Sequence, residues 1–231
     1  LPIKAPYLVS TPDFVACHVP SYLSKYDVLA GIKQNGTLLL NSLWDEKETL
    51  ERIPEHVKGI IGRKNISLYI INATKIAAEI GLGGRTNTIL QSAFFKITNI
   101  IPYEDAVTYM KQAILKSYGK KGENVVNMNY AAVDRGGEYT KVEIPADWKD
   151  ITAKFENPNK NRLAPEFVKE IADEVNSQCG DRLPVSKFVD IQDGTMPNGT
   201  AAYEKRGVAV KVPEWKNENC IQCNTCAFVC P

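Results

Sequence analysis

Gly36-Thr37-Leu38-Leu39-Leu40-Asn41 and Ile66-Ser67-Leu68-Tyr69-Ile70-Ile71-Asn72 are two short apolar runs flanked by turn residues. Continuous runs of this kind predict strands covered on both faces, as in a parallel sheet. Between them, Asp45-x-x-Glu48 has the form of a capping box. Leu50, Ile53, Val57, Ile60 and Ile61 then follow at helical spacing, which predicts one helix ending near Gly62. Strand, helix, strand at this spacing is a βαβ unit with an expected right-handed crossover. The fold class is therefore α/β.

Working outward, Tyr7–Ser10 and Phe14–Val19 are further strand candidates, separated by Thr11-Pro12-Asp13. On the other side, Thr86 to about Met128 is mostly helical in pattern. Ile89, Ala93, Phe94 and Ile97 share one face. A second helix begins after Pro102 and is expected to turn Ala106, Met110 and Ala113 inward. These helices are candidates for packing on the sheet or for subunit contact. Arg135-Gly136-Gly137 and Ile144–Trp148 read as a linker. Pro165 to Gln178 predicts one more helix, carrying Phe167, Ile171 and Val175. Gly180 to Pro213 has little periodicity and reads as a long connector.

The composition is that of an ordinary globular chain, with 44% hydrophobic and 24% charged residues. A formal net charge of +1 creates no field that would recruit nucleic acid or an anionic membrane. Lys116, Lys120 and Lys121 read as a solvated helix end. No apolar stretch approaches the roughly 18 residues that mark a membrane span.

Four of the six cysteines fall at the end of the chain, as Cys220-x2-Cys223-x2-Cys226-x3-Cys230-Pro231. This is the spacing of the bacterial ferredoxin run, in which the fourth cysteine ligates the neighbouring cluster. Cys220, Cys223 and Cys226 are accordingly expected on one [4Fe–4S] cluster and Cys230 on another. Zinc sites more often pair two halves across a longer loop. A zinc knuckle and free thiols are the alternatives. The clustering suits a reducing compartment, the cytoplasm, better than a disulfide scaffold. A complete site needs a second cysteine run, and none precedes Pro231. That predicts a piece of a longer polypeptide, with no intact four-cysteine site of its own. Cys17 and Cys179 stand alone and are expected to act as small buried hydrophobes.

Gly81-Leu82-Gly83-Gly84-Arg85-Thr86-Asn87-Thr88 is the second motif. Glycines permit close backbone approach, a following helix N-terminus offers free N–H groups, and Arg85 adds donors for phosphate. It is not G-x-G-x-x-G, so a helix-capping turn is the simpler reading, with a nucleotide-binding module as the alternative. His18 lies in an apolar run and is expected in the core. His56, among charges, is expected in solvent. No Ser/His/Asp or Cys/His arrangement is legible, so no catalytic residue is assigned.

Three segments together resemble the pyruvate:ferredoxin (flavodoxin) oxidoreductase, or pyruvate synthase, family. They are Thr11–Leu23, Arg85–Phe95, and Tyr203–Trp215 running into Cys220–Pro231. The resemblance implies a Rossmann-like domain over 1–145, a Glu-Lys-Arg connector over 146–215 and the start of a ferredoxin-type domain over 216–231. It implies a multidomain homodimer with thiamine diphosphate, magnesium and [4Fe–4S] clusters. Such an enzyme converts pyruvate and coenzyme A to acetyl-CoA and carbon dioxide and passes electrons to ferredoxin or flavodoxin. The thiamine-binding domains fall outside this chain, which is not expected to be active alone. The resemblance also makes Gly83, Gly84, Arg85 and Asn87 candidate coenzyme A contacts.

Overall fold

The computed structural model describes residues 9–156, 163–204 and 213–229. Four strands form one sheet: β1 (Phe14–Cys17), β2 (Thr37–Asn41), β3 (Ser67–Ile71) and β4 (Thr140–Val142), in spatial order β1-β2-β3-β4. β1, β2 and β3 are parallel, with Phe14 opposite Thr37 and Thr37 opposite Ser67. β4 runs antiparallel against β3, with Leu68 opposite Val142. The parallel sheet expected from sequence thus carries an antiparallel edge strand, a common finish for α/β sheets. Of the strand expected at Tyr7–Ser10, residues 7 and 8 lie outside the described residues, while Val9 and Ser10 are exposed and outside any strand.

The period of two along each strand divides the apolar runs between two cores. Leu38, Leu40, Leu68 and Ile70 face one side, with Leu23, Ile53, Val57, Ile61 and Trp148. Leu39 and Ile71 face the other, with Ala73, Ile76, Ile89 and Ala93. Each fully buried leucine contributes about 1.5–3 kcal/mol relative to exposure.

The first face is covered by α1 (Tyr22–Lys25), α2 (Glu46–Arg52) and α3 (Glu55–Arg63). One helix was expected where α2 and α3 stand. Pro54 divides it: Ile53 is extended, at φ −61° and ψ 131°, as steric conflict before a proline demands. The capping box is present, with Glu48 N–H donating to Asp45 at 2.8 Å. α3 ends at Arg63, near Gly62 as expected. A Cβ on Gly62 would strike the backbone of Trp148 and Lys149, and one at Gly59 would strike the Ile151 carbonyl. These glycines form a seat for residues 146–151, and Arg63 secures it by donating to the Ile151 carbonyl. The stretch Ile144–Trp148, expected as a linker, therefore contributes the buried Trp148 to the α/β unit, and β4 lies between it and Arg135–Gly137.

The second face is covered by α4 (Ala73–Glu79), α5 (Asn87–Thr98) and α7 (Glu123–Asp134), with α6 (Tyr103–Tyr118) outside. α6 and α7 bury Met110, Ile114, Val126 and Val133 against each other. Ala106 and Met110 face inward as expected, but Ile114 replaces Ala113, which is exposed.

Residues 166–176 are helical, with a π-helical turn at Val168–Ala172 before α8 (Asp173–Asn176). The wider turn alters the register of the inner face. Val168 and Ala172 are buried, while Phe167 and Ile171 are half-buried and Val175 is exposed. Short 3₁₀ turns follow, and α9 (Thr225–Val229) lies within the cysteine segment.

Candidate functional sites

The glycine-rich turn begins as the C-cap of α4. Leu82 N–H donates to the Ala77 carbonyl at 2.8 Å and Gly81 N–H to the Ala78 carbonyl at 3.2 Å. This is the Schellman pairing, which places Gly81 in the left-handed region at φ +84° and buries Leu82 beyond it. The first two residues of the motif, Gly81 and Leu82, are thus accounted for by helix termination. The rest is open. Nothing lies within 4 Å of a Cβ built on Gly83 or Gly84, and Arg85 is exposed.

Thr86 is the N-cap of α5 but its side chain makes no capping bond, so the first N–H groups of α5 have no side-chain acceptor there. Asn87 and Thr88, at the first positions of α5, border a groove of about 370 Å³ between α5 and α6, lined by Gln91, Phe95, Tyr109 and Tyr118 among others. Sequence reasoning missed this groove. The signal was the pair Asn87 and Gln91, one helical turn apart on one face.

The described cysteines of the C-terminal motif, Cys220, Cys223 and Cys226, are all exposed and free of disulfides. Cys230 lies outside the described residues. Gln222 and Asn224, between them, adopt left-handed backbone at φ 57° and 58°. This bends the loop so that polar groups reach the sulfurs. The Trp215 side chain hydrogen-bonds Cys220, and the backbone of Gln222 adds a second bond. The Thr225 hydroxyl lies 3.2 Å from the Cys223 sulfur, with a backbone bond from Thr225 beside it. These bonds, led by the side chains of Trp215 and Thr225, hold both thiols below their ordinary pKa and favour the thiolate.

An iron–sulfur cluster is implied by this spacing, and the donor chemistry suits it: three thiols on one tight loop, two of them hydrogen-bonded in a way that favours thiolate. The sulfurs are not gathered, however. Among the described residues no three Cys, His, Asp or Glu side chains stand close enough to hold a metal ion.

The remaining single residues differ in part from expectation. Cys17 is buried, donates to the Val19 carbonyl at 3.2 Å, and has its pKa raised by burial. Cys179 is half-buried and donates to the Ser177 carbonyl at 3.7 Å. His18 is exposed, not in the core, because β1 ends at Cys17; its carbonyl accepts from the Asn41 side chain at 3.1 Å. His56 is half-buried rather than solvated. Its ring meets Phe155 edge-on at 5.3 Å, and desolvation lowers its pKa against an opposing pull from Asp27.

A family model described as pyruvate ferredoxin/flavodoxin oxidoreductase matches residues 1–139. The chain belongs to this family. A second model, described as a domain of unknown function, matches residues 154–209. Family relatives match along the whole chain. The pyruvate-flavodoxin oxidoreductase of Enterobacter agglomerans is 50% identical over 231 residues, all of this chain and 19% of the relative. The pyruvate:ferredoxin oxidoreductase of Moorella thermoacetica is 48% identical over the same span, again 19% of its length. The chain thus spans about a fifth of the length of these curated relatives. Among solved structures, the pyruvate oxidoreductase subunit PORC of Thermotoga maritima matches with a TM-score of 0.47 and 24% identity, over 58% of this chain and 67% of that one. No helix among the described residues is long and apolar enough to cross a membrane.

Proposed function

We propose that this chain serves a pyruvate:ferredoxin (flavodoxin) oxidoreductase as its coenzyme A-binding α/β domain and electron exit. The observation that supports this is the similarity to the Enterobacter and Moorella enzymes, 50% and 48% identical, which runs from the first residue through the cysteine run. In the whole polypeptide, pyruvate and coenzyme A yield acetyl-CoA, carbon dioxide, one proton and two electrons. Thiamine diphosphate and magnesium belong to other domains of that polypeptide. The working enzyme is a cytoplasmic homodimer, and ferredoxin or flavodoxin accepts the electrons.

Within this chain the α/β domain, expected over 1–145, extends through the 146–151 segment seated on α3, the connector runs on to 215, and the ferredoxin-type domain starts at 216. Gly83 and Gly84 leave room for close approach of a phosphate group, and Arg85 supplies a bidentate donor beside the uncapped start of α5. Asn87 sits where the turn meets the α5/α6 groove, positioned to donate to the adenosine or its phosphates. A bound [4Fe–4S] cluster supplies one-electron transfer. Cys220, Cys223 and Cys226 hold one such cluster and Cys230 contributes to its neighbour. Thiolates favoured by local hydrogen bonds suit iron; a zinc knuckle or an independent nucleotide-binding module would leave the oxidoreductase identity over the whole chain without a reason.

The test uses the full parent polypeptide, purified anaerobically. Iron and zinc content, pyruvate- and coenzyme A-dependent reduction of ferredoxin, and coenzyme A affinity are measured for wild type, Cys220→Ser and Arg85→Ala. Loss of one cluster in Cys220→Ser and weaker coenzyme A binding in Arg85→Ala are expected. Full iron in Cys220→Ser, or zinc in place of iron in wild type, would sink the proposal.

A further inference from the structure

Ser92 is a fully buried hydroxyl in the middle of α5. It donates to the Val133 carbonyl, in the last turn of α7, at 2.6 Å. A hydroxyl has one hydrogen, so the Tyr103 hydroxyl, 3.1 Å away at the start of α6, donates to Ser92 Oγ. Lys96 lies 5.5 Å from the centroid of the Tyr103 ring and steadies it. One serine thus ties three helices at one point. A glycine lets the chain close over it: a Cβ on Gly136 would strike the Ser92 side chain. The residue before, Arg135, bonds Glu79, the last residue of α4, at 2.8 Å. The tie therefore reaches the helix that ends in the glycine-rich turn and the two helices that border the groove of about 370 Å³.

We infer that Ser92 and Tyr103 are positioning residues for coenzyme A: their bond sets how far apart α5 and α6 stand, and so the width of the groove between them. This rests on coenzyme A binding at that groove, as proposed above. Neither residue lines the groove, but their neighbours do. Gln91 and Phe95 flank Ser92 on α5, and Ala106 lies one turn beyond Tyr103 on α6. Apolar contact is non-directional and tolerates a slide of one helix along another. A hydrogen bond weakens steeply when its distance or angle changes, so it fixes the spacing. A groove already set to its ligand avoids the cost of ordering its walls on binding.

The experiment measures coenzyme A affinity by calorimetry, with steady-state KM and kcat, on the full parent polypeptide purified anaerobically. Tyr103→Phe keeps the ring and removes the hydroxyl. Its Kd and KM for coenzyme A are expected to rise about two- to tenfold, the range for one neutral hydrogen bond. Its kcat at saturating coenzyme A and its KM for pyruvate are expected to stay at wild-type values. Ser92→Ala is expected to weaken coenzyme A binding at least as much. The double variant is expected to go no further than Ser92→Ala, because the Tyr103 bond is already gone. Wild-type affinity in Tyr103→Phe overturns the inference, and so does full additivity in the double variant. Thermal unfolding is recorded for each protein. A lower midpoint that brings down kcat and pyruvate affinity together with coenzyme A affinity shows a structural role only and also overturns it. If Ser92→Ala does not fold, Tyr103→Phe decides alone, since Tyr103 is only half-buried. Arg85→Ala separates the two readings. If it weakens coenzyme A binding and Tyr103→Phe does not, this inference alone fails; if neither variant weakens it, the coenzyme A site proposed above fails as well.

Discussion

The α/β unit and the cysteine segment are opposite kinds of structure. Across residues 9–151, buried leucines and isoleucines on both faces of the sheet hold every strand. Across 213–229, every described residue is exposed, Ile221 and Phe228 included. The first region is dense in packing and sparse in reactive groups. The second is dense in reactive groups and has no core. The contrast shows where folding energy has to come from in each. The α/β unit takes it from burial of its own apolar surface. The cysteine loop must take it from a bound metal group or from parts of the polypeptide outside this chain, as small metal-binding modules do.

Trp148→Ala is the strongest test of that contrast, because Trp148 seals the first core from the supposed linker. It should cost about 3–5 kcal/mol in urea unfolding, the range for deleting a buried large aromatic. A cost near zero would mean that residues 146–151 do not belong to the α/β unit. Arg85→Ala comes next. It should weaken coenzyme A binding by about 1.5–3 kcal/mol, the range for a charged hydrogen bond, measured by calorimetry on the full polypeptide. Its unfolding midpoint should not move.

Gly62→Ala should cost about 1–3 kcal/mol by overpacking α3 against Trp148, read from the same urea curves. The pH dependence is smaller. Burial favours neutral His56, so its folded pKa lies below the unfolded value of about 6.5. The unfolded chain then binds more protons in acid. His56 contributes fully above about pH 6.5, and that contribution falls as pH drops through the folded pKa. His56→Gln should flatten the stability profile between about pH 7 and 5. The smallest effect belongs to Cys220→Ser in this chain, which should change unfolding free energy by less than about 0.5 kcal/mol, as surface substitutions do. A larger loss would tie the cysteine segment to the α/β core and break the comparison.

Legibility followed the same division. The strands at Thr37–Asn41 and Ser67–Ile71 could be read directly, because burial on both faces requires unbroken apolar runs. The capping box at Asp45 could be read because it is a local, four-residue device. The break at Pro54 was also local, but helical spacing continued across it and concealed it. β4 could not be seen, since three residues with one buried side chain have too little pattern. His18 and His56 were placed by the character of their neighbours in sequence, whereas exposure depends on where a strand stops and what crosses it.

The sequence by itself determined the α/β class, the cysteine ligand spacing and the resemblance that proved to be the family. Each is written in short-range pattern: unbroken apolar strand runs, fixed Cys spacing and contiguous family segments. Only the tertiary structure decided that the supposed linker closes the first core, that Gly81 caps α4 while Gly83 and Gly84 stay open, and that the Thr225 hydroxyl reaches the Cys223 sulfur. Those facts depend on which distant or rotated groups meet in space. That is set by the sum of packing and backbone geometry over the whole chain, and no local window contains it.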